Sequence, residues 1–459
     1  MGTGMATAAA TGMQAAADSA HDPEKCEPVV RQDHAQNLNM QRIVCPERDD
    51  WRDTAETSGF DFHTIDGERY WDERGYYAFT LEEIERQIEA PTGEIDAMCL
   101  ELVGKVVGSE DYLGRLKIPE SFWPLIAQSW ERDEGSLYGR LDLSFDGHGP
   151  AKLLEYNADT PTSIFEAAVF QWGWLEQSIE RRIIPKHADQ FNSIHERLIE
   201  AWKKLSAAHD ADPQGRVSAK GEPVFRTSHA PDDKPGRTGD RALVHLHLTG
   251  TTENSEDFGT LAYLEDTAIQ AGLATTLIDI EDIGWRDEGG FVDLDNRDIT
   301  LAFKLYPWEW MFRDAFGARL AEALTRWIEP PWKAVLSNKG ILPLLWEMFP
   351  GHPNLLPAYF EDDARAEGLG ASYVRKPIYS REGANVALVS GGVALARQEG
   401  PYGGEGFIRQ AFAPLRNFSG QYPVLGSWLI DHTPCGLSIR EDESPITGNN
   451  SRFLPHAIL

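Results

Sequence analysis

Apolar and polar positions alternate with period two through residues 138–157, in the run YGRLDLSFDGHGPAKLLEYN. That period predicts two short strands joined by a turn. Helical periods flank it. TLEEIERQIEA (80–90) opens on Thr80 and carries Glu83 three places on, the pattern of a capping box. SFWPLIAQSWERD and TSIFEAAVFQWGWLEQSIERRI also read as helices. Further on, ALVHLHL predicts a buried strand, DFGTLAYLEDTAIQAG a helix ending at Gly272, and ATTLIDI a second strand. Such alternation predicts a three-layer α/β lobe. From about Ile299, strands dominate: ITLAFKLYP, SYVRKPI, ANVALVSGG, GFIRQAFAPL, YPVLGSWLID and GLSIRED. They predict an α+β lobe built on antiparallel sheet.

Two segments have no period. Residues 1–39 are Ala-rich and read as a disordered tail, and 207–240 are rich in Pro, Gly, Asp and Lys and read as a mobile insertion. Residues 40–459 then form the folded unit.

Charge narrows the partners. The 459 residues include 73 acidic and 43 basic ones, for a net charge of −30. Such a surface repels nucleic acid and anionic membranes and attracts amines. Cys26, Cys45, Cys99 and Cys435 lie far apart with no CxxC pair. A disulfide framework or zinc site is therefore not expected, and a reducing, cytoplasmic setting is. No apolar run approaches the roughly 20 residues that span a bilayer.

The chemistry concentrates in the hairpin. Residues two apart on a strand share a face. If Phe145 pairs with Pro150, the turn is DGHG, and Arg140, Asp142, Glu155 and Asn157 share one face. Magnesium takes one or two carboxylates plus substrate phosphates, and an arginine beside them suits a transferring phosphoryl group. The same pattern also fits a half-exposed hairpin with a surface ion pair.

The run YGRLDLSFDGHGPAKLLEYNADTPTSIFEAA resembles the synthetase domain of glutathionylspermidine synthase and its stand-alone acid–amine ligase relatives. FKLYPWEWM, WKAVLSNKGILPLLWEMFPGHPNLLPAYF, VRKPIYSREGANV, GFIRQAFAPL and GLSIREDESPITGNNSRFLPHAI continue the likeness in order, from about residue 40 to 459, apart from the insertion. The resemblance implies an ATP-grasp fold and ADP-forming amide synthesis from a small acid and an amine, with glutathione or a related peptide and a polyamine as candidates.

It also implies site residues. Asp142, Glu155 and Asn157 would hold two Mg²⁺ ions between ATP phosphates, with Arg140 facing the transferred phosphate. Lys304 and Lys339 would hold phosphates, and Lys376 would border the nucleotide. Arg440 would contact phosphates. The loop YSREGANVAL, with Gly383 and Ala384, would cover them. Gln410, with the backbone of Trp428 and Leu429, would read the adenine edge; Arg409 departs from the Gln or Tyr usual beside that glutamine. Thr160 would lie near a thiol-peptide substrate. Glu256 and Asp257 would face substrate, although a helix N-terminus favours acids in any case. The bifunctional members carry an amidase domain, for which there is no room before Met40, so reversal of the conjugation is not expected. The alternatives are a catalytically silent nucleotide-binding protein and a metal-dependent phosphohydrolase. Oligomeric state is left open.

Overall fold

Thr80 caps its helix as the sequence predicts. Its hydroxyl accepts from the Glu83 N–H at 3.2 Å, and the Glu83 carboxylate accepts from the Thr80 N–H at 2.9 Å. In this computed structural model, which describes residues 40–65, 67–212, 244–448 and 451–459, that helix does not stop at Ala90. It widens into a π-helical stretch, Ile84–Glu89, and continues as Ala90–Val106. Pro91, which has no N–H to give, stands where the π-helical stretch passes into this last segment.

Three sheets build the body. The first is parallel, with spatial order Arg326–Ile328, Leu301–Leu305, His245–Gly250, Ala274–Asp279. The helices Ile194–Ala211 and Ser255–Gln270 pack together, and the second also covers the sheet. The second sheet is antiparallel, ordered Arg452–Leu454, Thr433–Asp442, Tyr422–Ile430, Tyr138–Ser144, Lys152–Asn157. The third is also antiparallel, ordered Ala358–Phe360, Phe407–Ala411, Tyr373–Pro377, Ala387–Ser390, Val393–Arg397. A small sheet of Gln41–Val44, Gly75–Phe79 and His456–Ile458 ties the early residues to the last strand.

Two expectations need correction. The strand within ITLAFKLYP does not open the antiparallel unit. Leu301–Leu305 lies between two parallel neighbours, and all five of its residues are buried, as a strand covered on both faces must be. The expected insertion at 207–240 begins inside a helix, which runs to Ala211; its remainder from 213, like the expected tail 1–39, lies outside the described residues.

Two hydrophobic clusters meet at the second sheet. Leu141, Leu143 and Leu153 join Leu102, Val103 and Leu437 in one. Trp428 joins Trp71, Trp174, Trp202 and Phe303 in the other. Between the parallel sheet and the hairpin lies buried charge. Lys304 is fully buried and pairs with Asp159, just beyond the hairpin's second strand, while donating to the Tyr306 carbonyl at 3.1 Å. Asp159 also accepts from the Trp308 N–H at 2.9 Å. Lys304 is committed to these partners and is not among the residues that line the cleft described below; burial lowers its pKa, and Asp159 opposes the fall. Nearby, Lys333 pairs with Glu329 at 3.3 Å and donates to the Tyr138 and Ala158 carbonyls.

Removing one partner of a buried pair strands the other charge, at a cost of about 3–5 kcal/mol. Lys304→Met should lose about that much stability in urea unfolding, and adding Asp159→Leu should return part of it. A single variant as stable as the parent counts against this pairing.

Candidate active site

The hairpin's two strands, Tyr138–Ser144 and Lys152–Asn157, pair as Arg140 with Asn157 and Asp142 with Glu155. Between Asp142 and Leu143 the register shifts, so that Leu143 meets Leu153 and Leu154 is the extra residue of a β-bulge. The strands end at Ser144 and resume at Lys152, so the connection is longer than DGHG. The four polar residues nonetheless share one face, because the pairing differs from the expected one by two positions, which preserves the side.

On that face the groups converge. Arg140 Nε donates to Asp142 Oδ1 at 2.7 Å and Nη2 to Oδ2 at 3.2 Å, while Nη1 donates to the Thr162 carbonyl at 2.9 Å. The Asn157 amide lies 3.0 Å from Asp142 Oδ2 and 3.4 Å from Glu155 Oε1. Lys339 reaches Glu155 at 3.1 Å and the Ser380 carbonyl at 2.8 Å. Lys376 donates to the carbonyl of the bulged Leu154 at 2.7 Å and to Gln410 Oε1 at 2.8 Å. Gly426 stands opposite Asp142. A Cβ there would come within 2.7 Å of the Arg140 side chain, so a glycine lets the guanidinium lie across the sheet.

Arg140, Asp142, Glu155 and Lys376 line a cleft between the two antiparallel sheets, and Asn157 and Lys339 touch it through Glu155. Apolar residues line it too, among them Leu154, Val374, Val386, Leu388, Phe412 and Val424. Gly383 lines the same cleft from the loop YSREGANVAL, with φ at +71°, beside Glu382 at +52° and Asn385 at +57°. Arg440 lines it as well; its Nη2 donates to the Gly448 carbonyl at 3.3 Å, but its buried Nε–H has no partner among the described residues. The cleft-lining Thr447 Oγ1 is likewise unpaired.

A flat apolar slot with unspent cationic donors fits a nucleotide, its base between the sheets and its phosphates at the polar face. Magnesium fits as well. Among the described residues no three His, Cys, Asp or Glu groups converge to hold an ion. The protein therefore offers two carboxylates and one carboxamide, and phosphate oxygens would complete the shell. Asn157 turns its amide nitrogen toward both carboxylates; rotating that amide presents its oxygen.

Three expected roles change. Trp428 opposes Arg140 across the strands and shares its face of the sheet, but it is wholly buried, with Nε1 bonded to Ser438 Oγ at 3.0 Å and the Arg140 guanidinium 5.5 Å from its ring. Leu429 is in the core beside the long helix. Neither lines the cleft; Phe412 and Ala413, just after the strand Phe407–Ala411, do. Gln410 is also spent, since it accepts from Lys376 and donates to the Leu153 carbonyl at 3.0 Å. It orients the lysine.

Beside the cleft is an acidic wall. Thr160 accepts from Arg381 at 2.8 Å, and Arg381 pairs with Glu309 at 2.9 Å. Glu256 and Asp257 start the helix Ser255–Gln270, where Asn254 caps both N–H groups. Burial, then the neighbouring Glu256, raises Asp257 to about 7, and the same two causes raise Glu166 to about 7. Sequence reading missed Arg381, Glu309 and Glu166. All three lie inside stretches quoted for the family likeness, but Arg381 meets Thr160 across 221 residues of sequence and Glu309 across 72.

The family model described as "Glutathionylspermidine synthase preATP-grasp" matches residues 42–459. A Haemophilus influenzae protein named "Putative acid–amine ligase" is 40% identical over 429 residues, covering 91% of this chain and 99% of that one. Trypanothione synthetase of Crithidia fasciculata is 28% identical, covering 77% of this chain but 52% of its own. The bifunctional glutathionylspermidine synthetase/amidase of Escherichia coli is 26% identical, covering 83% and 58%. The chain thus spans little more than half the length of these two larger relatives. A glutathione synthetase-like effector from Globodera pallida shares the fold at TM-score 0.50 and 12% identity, over 89% of this chain and 95% of that one.

Burial would raise the Glu155 carboxyl, but Lys339, Lys376 and Arg140 together bring it down to about 2. Its folded value is below its unfolded one. The stability it contributes is therefore present above the ordinary glutamate pKa of about 4.3 and is lost as pH falls toward the folded value. Urea unfolding should find Glu155→Gln weaker than the parent at neutral pH, with the gap closing through the acid limb. A gap independent of pH argues against the pairing.

Proposed function

Because the chain belongs to the glutathionylspermidine synthase preATP-grasp family, we propose that it is an ADP-forming acid–amine ligase. The observation that carries this reading is the convergence of Arg140, Asp142, Glu155 and Asn157 with Lys339 and Lys376 in one cleft beside an acidic wall.

The substrate carboxylate attacks the γ-phosphorus of ATP, and ADP leaves. The resulting acyl phosphate is attacked by the amine, inorganic phosphate leaves, and an amide remains. Asp142, Glu155 and Asn157 would hold Mg²⁺, which supplies positive charge to the phosphoryl oxygens. Arg140, now bidentate on Asp142, adds a planar cation on the same face. Lys339 and Lys376 hold the nucleotide's phosphates, with Lys376 lowered by burial to about 8 although Glu155 opposes the fall. The loop carrying Arg381 and Gly383 closes the cleft and keeps water from the acyl phosphate. Arg440 and Thr447 complete the anion pocket with their unpaired donors.

The amine must lose a proton before it attacks. Glu166 and Asp257, both near 7, are suited to accept it. They, with Glu256, also complement a cationic amine, and Thr160 faces the acid. A thiol peptide and a polyamine are the substrates we favour, on the strength of the relatives' names.

ADP release measured with ATP and Mg²⁺ against a matrix of acids and amines should require one of each. Asp142→Asn should cost at least about a hundredfold in kcat, the scale of losing a preorganised charge stabiliser, with an unchanged circular dichroism spectrum. ADP release that needs no amine would point instead to a phosphohydrolase.

A further inference from the structure

Away from the cleft, the fold brings together a serine, a histidine and an aspartate from three distant parts of the chain. Asp96 lies on the helix Ala90–Val106. Ser136 lies in the segment that leads from the helix Trp123–Glu131 into the strand Tyr138–Ser144, and His432 in the turn between Tyr422–Ile430 and Thr433–Asp442. Ser136 Oγ is 2.9 Å from His432 Nε2, and His432 Nδ1 is 2.9 Å from Asp96 Oδ2. None of the three lines the cleft of Arg140 and Asp142. Ser136 stands six residues before Asp142, about 20 Å of extended chain.

The hydrogen bonds assign the roles. A carboxylate only accepts, so it takes the Nδ1 proton of a neutral imidazole, and Nε2 is left as acceptor for the Ser136 hydroxyl. The Asp96 carboxylate is itself held, since Oδ1 accepts from the Tyr156 hydroxyl at 3.0 Å. Trp332 stacks on the imidazole, with ring centroids 6.0 Å apart and planes at 24°. Nucleophile, base and orienting carboxylate in this arrangement perform acyl transfer on several unrelated folds, and the arrangement is recognised by geometry rather than by order in the chain. Here the order is Asp, Ser, His.

Two further features support a reactive serine. Asp431 and His432 make their hairpin turn with φ of +46° and +61°. Such turns favour Asn-Gly, because a larger side chain in the left-handed region is strained. Here the imidazole is kept in place by its bonds to Ser136 and Asp96. The second feature is the main chain beside the hydroxyl. The N–H groups of Gly135 and Ser136 have no acceptor among the described residues, whereas those of Leu137 and Tyr138 both donate to Glu329. Free N–H groups at and next to the nucleophile are what a developing oxyanion needs. Ser136 is 3% exposed, Gly135 is exposed, and the His432 side chain is 29% exposed, so the three groups lie just under the surface. That depth admits a small acyl group.

We propose that Ser136, His432 and Asp96 form a second catalytic site, an acyl-transfer triad that hydrolyses small esters. This site goes beyond the ligase reading and does not depend on it. Ser136 Oγ attacks the ester carbonyl carbon while its proton passes to His432 Nε2. The carbonyl C–O bond to the alcohol breaks, and the alcohol leaves with that proton. Water then attacks the acyl-serine, giving one proton to His432. The carboxylic acid leaves, and the proton returns to Ser136 Oγ. Asp96 keeps the imidazole oriented and offsets its positive charge. The Gly135 and Ser136 N–H groups meet the carbonyl oxygen as it gains charge.

Diisopropyl fluorophosphate, added to the full chain without nucleotide, tests it. A bond forms from Ser136 Oγ to phosphorus, fluoride leaves, and the hydroxyl proton goes to His432. Peptide mass spectrometry should find one adduct, on Ser136. His432→Gln should slow labelling at least about a hundredfold, the scale of losing a general base. The substitution lies in a surface turn, and an unchanged circular dichroism spectrum confirms the fold. Ser136→Ala should take up no label and should lower hydrolysis of p-nitrophenyl acetate at least tenfold. No adduct, an adduct on another residue in place of Ser136, or labelling of His432→Gln at the parent's rate would overturn the proposal. So would hydrolysis undiminished in Ser136→Ala.

Discussion

Leu154 sets the geometry of the cleft. On the turn side of this residue, Leu143 faces Leu153; continued without a bulge, that register would set Asp142 opposite Leu154 and Arg140 opposite Tyr156. The extra residue restores Asp142 to Glu155 and Arg140 to Asn157, so that charge meets charge across the strands. It also frees the Leu154 carbonyl, which accepts from Lys376 on the other antiparallel sheet. One inserted residue thus makes the polar face and joins the two sheets that enclose it. Bulges re-aim side chains in this way next to functional sites.

The cleft rests on a buried ionic layer. Lys304 with Asp159, and Lys333 with Glu329, lie beneath the hairpin, each satisfied by carbonyls or N–H groups as well as by its partner. Such pairs offer little net stability, because desolvation offsets most of the Coulomb attraction. What they impose is position: each carbonyl or amide that meets a buried charge has one place where that charge is satisfied. The turn from Asn157 through Thr160 is held this way, and with it the point where Arg381 contacts the wall.

The cations and anions of the cleft satisfy one another. Arg140 covers Asp142 and Lys339 covers Glu155. A triphosphate with Mg²⁺ brings both signs of charge, so its binding would exchange partners without leaving any group bare. That exchange costs less than dehydrating isolated charges, and it pre-places each group near its working position. The unpaired donors of Arg440 and Thr447 are the exception, since they have nothing to exchange.

Much of this was legible from residue order. Period-two alternation located the hairpin, the capping box located the long helix, and side-chain parity put Arg140, Asp142, Glu155 and Asn157 on one face, because these depend only on neighbours in sequence. The family likeness pointed to the fold and to the ligase family that the comparisons bear out. Tertiary structure decided what parity cannot: the bulge at Leu154, the parallel placement of Leu301–Leu305, and the partner of every lysine. Lys304 and Lys339 look alike in sequence, each a lone cation in an apolar run. One is buried against Asp159 and the other faces Glu155 because a charge's role depends on which distant carboxylate the fold brings within a few ångströms, and no local pattern carries that distance.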